Sequence, residues 1–164
     1  MSTVAARSEE HTSELIRFDI TDASAPAYIV TGKRNRLPKG VTEERTSKMD
    51  GVVFSELNFR SPRTHGHPLP IYETMIIGQD DERAINNLKI ENWNIEVMGG
   101  DTESSRPAPE TIDDKYPEYD CHGLSAGYAF TLRYVKGIDM KNINITDMKN
   151  QDARPLAAFF NCKK

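Results

Sequence analysis

One pattern of apolar and polar positions occurs three times along the chain. It reads Val52-Val53-Phe54-Ser55-Glu56-Leu57-Asn58-Phe59, then Leu88-Lys89-Ile90-Glu91-Asn92-Trp93-Asn94-Ile95, then Ile138-Asp139-Met140-Lys141-Asn142-Ile143-Asn144-Ile145. Apolar residues hold the first, third, sixth and eighth places each time. Period-two alternation marks a half-buried strand. The break between the third and sixth places resets the alternation and turns the chain. A helix would place its apolar residues three and four apart, and a tight hairpin favours Asn-Gly or a similar pair. Lys-Asn and Glu-Asn suit a bend into a strand that is not antiparallel to the first, because Asn tolerates left-handed backbone angles. Asn92 and Asn142 hold that bend and can bond from copy to copy. Glu56 stands there in the first copy and weakens the ladder.

Between these pairs fall lone strands at Ala27–Thr31, Thr74–Ile77, Ala129–Arg133 and Leu156–Phe160. The unit is therefore lone strand, short turn, strand, bend, strand, long loop. The copies begin at Val52, Leu88 and Ile138, and loops of unequal length, Arg60–Tyr72 and Met98–Gly127, account for the uneven spacing. Such insertions cost little and commonly carry function. Three strands per unit, stacked unit on unit, predict an all-β fold: a right-handed parallel β-helix, or solenoid, of roughly three to four coils. The competing arrangement is a β-sandwich with long loops.

Composition narrows this picture. The chain has 164 residues, enough for one domain, and only 37% of them are hydrophobic. A coil stack accommodates that value because each coil buries a narrow inward stripe. With 21 basic and 25 acidic residues interleaved and no basic stripe carrying aromatics, nucleic acid is a poor partner. No apolar run approaches the roughly 20 residues of a membrane span. Cys121 and Cys162 match no zinc spacing, and whether they pair is left open. The segment Arg7–Leu15, RSEEHTSEL, looks like a translated sequencing-library adapter. On that reading residues 1–15 are a disordered, artefactual N-terminus, the natural sequence begins near Ile16, and residues 16–164 are the C-terminal part of a β-helix domain.

Several segments resemble the C-terminal coils of polygalacturonase-like proteins, glycoside hydrolase family 28. They are Ile29-Val30-Thr31-Gly32-Lys33-Arg34-Asn35-Arg36, then Met75-Ile76-Ile77-Gly78 with Ile85–Asn92, then Tyr116-Pro117-Glu118 with Ala129–Gly137, and lastly Asp152-Ala153-Arg154-Pro155. The ordered set covers Ile16 to Phe160 and is more specific than any piece. The resemblance implies hydrolysis of a pectin-type polysaccharide, polygalacturonan or rhamnogalacturonan, by paired carboxylates. It implies an exported parent and no cofactor. The family's Asn-x-Asp, Asp-Asp, Gly-His-Gly and Arg-x-Lys motifs lie on coils before the matched segment, so the resemblance assigns no catalytic residue to this chain and implies that it is inactive alone. A non-catalytic glycan-binding or adhesive β-helix is the alternative.

The candidate chemistry is correspondingly modest. Asp80-Asp81 and Asp113-Asp114 read as acidic surface runs. His65-Gly66-His67 lacks a third metal ligand and reads as a solvated loop, so no metal is expected. Since the family's substrate lies along the lone-strand sheet, the resemblance implies substrate contacts for Lys33, Arg34 and Arg36, whose positive charges suit carboxylates, the Arg guanidinium groups in bidentate fashion, and for Tyr119 and His122 on the long loop. Tyr116, Arg133 and Arg154 read as structural, Arg154 pairing with Asp152. Trp93 takes an inward position and reads as core. Asn144-Ile145-Thr146 fits a glycosylation pattern but lies inside a strand. A stack cut open along its axis exposes strand edges and apolar interior, which predicts a protein prone to aggregate.

Overall fold

A computed structural model describes residues 14–21, 23, 25–32, 39–40, 42, 48–60, 73–110, 119–147 and 151–164. In chain order its strands are β1 (Glu14–Thr21), β2 (Tyr28–Val30), β3 (Met49–Asp50), β4 (Val53–Arg60), β5 (Thr74–Ile77), β6 (Ile85–Val97), β7 (Phe130–Arg133), β8 (Val135–Asp147) and β9 (Ala157–Phe160). A single 3-10 turn, Tyr119–His122, precedes β7. The described residues are thus all-β, and every strand pairing among them is parallel.

The strands form two sheets that alternate along the chain. β1, β4, β6 and β8 stack in that order, with β3 beside the start of β6, and β2, β5, β7 and β9 stack in the other sheet. All four lone strands expected from the sequence are present, each within its expected segment. The strand–bend–strand units are present as well, but the ladder runs through the bend, so β6 and β8 are single strands of 13 residues.

Register turns the pattern into columns. Phe54, Ile90 and Met140 align, as do Leu57, Trp93 and Ile143, and Phe59, Ile95 and Ile145. From the other sheet, Ile76 and Leu132 enter the same core. Trp93 joins the two sheets: its ring stacks on Phe130 at 6.0 Å and meets the edge of Phe54 at 5.9 Å. Its place in the core, 1% exposed, agrees with the sequence reading.

The corners are set by left-handed residues. Glu56, Asn92 and Asn142 share one register position, with φ of 56°, 58° and 52°. A second corner, not evident in the sequence, aligns Gly51, Asn87 and Gly137, and a third aligns Tyr134 with Asn161. At Gly137 the φ of 67° favours glycine, and a Cβ there would also press on Asn87 Oδ1 of the neighbouring strand at 2.8 Å.

The start of the fold differs from expectation. β1 begins at Glu14, two residues before Ile16, and lies in parallel register on β4. Register places Leu15, Phe18 and Ile20 opposite Phe54, Leu57 and Phe59, a fourth copy of the repeat. The strand thus takes in Glu14 and Leu15, two residues of the segment set aside in the sequence reading.

Candidate functional site

The outward face of the lone-strand sheet is covered by the long segment that follows β6. Met75 and Ile77 of β5 are fully buried there beneath Tyr119, with Tyr28 and Val30 of β2 beside them. This explains why all four residues of β5 are buried while half-buried strands normally alternate.

Of the five residues implicated by the family resemblance, Lys33, Arg34 and Arg36 lie outside the described residues. Tyr119 and His122 sit together on the 3-10 turn, both buried, against the ring of Tyr28 at 5.6 Å and 5.9 Å. Tyr119 donates its hydroxyl to Glu73 Oε2 at 3.2 Å. Burial, reinforced by the Glu73 charge, pushes the phenol well above its ordinary range.

His122 is 1% exposed. Its Nδ1 lies 2.7 Å from the Glu110 carbonyl oxygen, which can only accept, so Nδ1 carries the proton. The Glu110 amide returns a bond to the His122 carbonyl at 3.1 Å, closing a two-bond clip. Nε2 is buried and has no hydrogen-bond partner among the described residues. Burial lowers the imidazole pKa below its ordinary value, and the Arg133 charge adds to this against the opposing Glu110 carbonyl bond. The ring is therefore neutral at pH 7. A shallow groove of about 220 Å³ lies beside it, lined by Glu103, Arg106, Glu110, His122 and Leu124 among others.

Beneath the loop lies an ionic cluster centred on Arg154. Its guanidinium reaches Asp152 through Nε at 3.0 Å and Nη2 at 2.8 Å, Glu73 at 2.7 Å, and the Ser125 carbonyl at 3.2 Å. Arg106 donates to the same carbonyl at 3.1 Å and pairs with Asp101 and Glu103. Asp101 in turn accepts the Ala153 amide at its backbone oxygen. Burial raises the Glu73 carboxyl pKa despite Arg154. Burial also pushes Asp152 upward, but there the hydrogen bonds from Arg154 win and hold it low. Two carboxyls with opposed shifts suit acid/base work in an open cleft. Here both face one guanidinium, which fits a clamp holding the loop to the sheet. The Asp152–Arg154 pair was legible in the sequence; Glu73, Asp101 and Arg106 were not, because their contacts depend on the path of the loop.

Asp80 and Asp81 are also engaged. Asp80 accepts from the Glu82 and Arg83 amides and from Arg83 Nε at 2.8 Å, and those Arg83 bonds lower its pKa. Asp81 pairs with Lys136 at 2.9 Å. The pair closes a turn, as its surface reading implies. Arg133 donates to the Gly78 and Gln79 carbonyls, at 3.2 and 3.1 Å, in a structural role. The other motifs named above, His65-Gly66-His67, Asp113-Asp114 and Tyr116, lie outside the described residues.

A second groove, of about 430 Å³, runs across β1, β4, β6 and β8. One wall is a ladder of exposed side chains: Asn144 donates to Asn94 at 3.4 Å, Asn94 to Asn58 at 2.8 Å, and Asn58 to Asp19 at 2.8 Å. The other carries the Arg60–Glu96 pair at 3.1 Å. Among the described residues no group of three or more His, Cys, Asp or Glu side chains could hold a metal ion, and no helix is long and apolar enough to cross a membrane. No protein-family model, curated protein or solved structure matches the chain.

Proposed function

We propose that the chain is a run of right-handed parallel β-helix coils from a polygalacturonase-like protein, and that this protein processes an acidic, pectin-type polysaccharide. The observation that carries the reading is the alternation of two parallel sheets in which each strand lies in constant register on its counterpart one unit earlier. Right-handedness follows from the general rule for parallel crossover connections. The substrate class rests on the family resemblance of the ordered segments. In this reading the coils supply scaffold and substrate contacts, and the acids of an inverting hydrolase stand elsewhere in the protein.

A second reading, a β-helix that binds glycan without cleaving it, is favoured by one observation. The paired carboxylates among the described residues, Asp80-Asp81 and Glu73 with Asp152, are each committed to Arg or Lys. Affinity electrophoresis through polygalacturonate, rhamnogalacturonan and a neutral glucan, with reducing-sugar assays alongside, tests both. Retardation by the acidic polymers, without sugar release, is expected of this chain under either reading. Equal mobility in all three gels would overturn the proposal. Sugar release by the chain itself would overturn the placement of the acids elsewhere.

A further inference from the structure

The groove of about 220 Å³ beside His122 has a chemistry of its own. Glu103, Arg106, Ala108 and Glu110 line it from one limb of the segment after β6, His122 and Leu124 from the other. Leu124, 67% exposed, gives it an apolar wall that Ala108 continues. The charge around it is one-sided. Arg106 is the one cation lining it among the described residues, and its guanidinium is spent on Asp101, Glu103 and the Ser125 carbonyl. The neighbouring Arg154 is spent on Asp152 and Glu73. Two guanidinium groups thus meet four carboxyl groups. The exposed Glu110 carboxylate adds a fifth, with no ion pair among the described residues. A groove of this sign draws a cation and repels an anion.

His122 adds an acceptor of the same kind. Its Nδ1 hydrogen is committed to the Glu110 carbonyl at 2.7 Å, so the neutral ring leaves Nε2 as a bare lone pair. That atom is buried and has no hydrogen-bond partner among the described residues. Buried polar atoms in this state are rare, and only a donor can satisfy this one. A metal ion is the wrong occupant, since among the described residues no three His, Cys, Asp or Glu side chains could hold one. An ammonium group keeps its acceptors farther off, at about 2.8 Å against about 2.1 Å for a metal, and brings three hydrogens to give. An alkyl stem behind it would lie on Leu124 while the charged head stays among the acceptors.

We propose that this groove is a binding site for an alkylammonium group, its head on Glu103, Glu110 and His122 Nε2 and its stem along Leu124 and Ala108. The site is separate from any contact with an acidic polysaccharide, so failure to bind polygalacturonate leaves it standing.

The test titrates the full chain with n-butylammonium, with 1-butanol and acetate as comparisons, and follows the Leu124 methyl and His122 imidazole nitrogen signals by NMR. Butylammonium is expected to move the Leu124 methyls and Nε2 saturably, and the other two are not. Glu110→Gln removes a charge but leaves the backbone clip to His122 in place, and it should weaken binding about threefold to fivefold. Nα-acetyl-lysine amide separates two sources of the same chemistry. Tighter binding than butylammonium assigns the site to a lysine side chain of a polypeptide, and equal or weaker binding assigns it to a free amine. Equal binding of 1-butanol, any binding of acetate, or no saturable shift overturns the site. Unchanged affinity in Glu110→Gln overturns the part given to that carboxylate, and an unmoved Nε2 overturns the His122 contact.

Discussion

Glu56 of β4 occupies a left-handed position that asparagine fills on β6 and β8. At φ 56° its Cβ crowds the following carbonyl, a cost of roughly 1–2 kcal/mol for an L-residue, which Asn offsets better. Asn142 also donates to Asn92 at 2.9 Å, whereas no such bond joins Asn92 to exposed Glu56 among the described residues. Glu56→Asn is therefore expected to stabilise the fold by about 1 kcal/mol, read as a rise in the urea midpoint with an unchanged slope. Trp93 is the opposite case: it packs against Phe130 and Phe54 from both sheets. Trp93→Ala should cost about 3–5 kcal/mol, or enough to unfold a marginal domain, and equilibrium denaturation measures it. Both positions were legible in the sequence because burial imposes period-two alternation and the bend selects Asn. The Gly51–Asn87–Gly137 corner was not, since glycine and asparagine share a backbone angle but no hydropathy signal.

At the scale of elements, the segment after β6 is held by two devices of different chemistry. The first is the Arg154 cluster. Removing its guanidinium leaves Glu73 and Asp152 facing each other's charge beneath the loop, so Arg154→Ala should destabilise by about 3–5 kcal/mol and expose residues 98–110 to protease. Arg154→Lys should restore only part, because ammonium cannot make the forked bonds to Asp152. The second device is the Glu110–His122 clip. His122 is held neutral in the fold with its pKa lowered, so the unfolded segment binds the proton more readily. The clip contributes fully above the ordinary histidine value and weakens as pH falls through the lowered one. The facing charges are Arg133 and Glu110, and the Tyr28 ring packs against the imidazole. Protection of the Glu110 amide, its exchange rate relative to the unstructured chain at the same pH, should therefore fall between about pH 7 and pH 5. In His122→Gln, which keeps a donor for the carbonyl but cannot titrate, it should not change. A pH-independent wild type would contradict this. Neither device could be read from sequence beyond the Asp152–Arg154 pair, since each joins residues far apart in the chain through a loop without periodicity. β1 was missed for another reason. Its apolar places fit the repeat, but its first residues overlap a segment that reads as adapter.

At the largest scale, the two parallel sheets enclose one apolar core, and a second, smaller cluster lies on the outer face of the lone-strand sheet. Ile138, Met140, Ile143 and Ile145 lie half-buried on β8, whose far edge among the described residues is bonded only to Lys163. Such edges template association. The chain should therefore self-associate with rising concentration, and Met140→Lys should suppress this more than a lysine placed on exposed Asn94. Sedimentation velocity over a concentration series reads the difference. Parallel, in-register stacking of β4, β6 and β8 is what cysteine cross-linking tests most directly. In a background with Cys121 and Cys162 replaced by serine, the pairs Asn58→Cys with Asn94→Cys and Asn94→Cys with Asn144→Cys place thiols on adjacent strands in register. Neighbouring strands lie about 4.8 Å apart, within disulfide reach. Asn58→Cys with Asn144→Cys spans two layers, roughly twice that distance. The account predicts rapid disulfide formation in both adjacent pairs and none within the monomer for the third; cross-linking of the third pair, or failure of the first two, would contradict it.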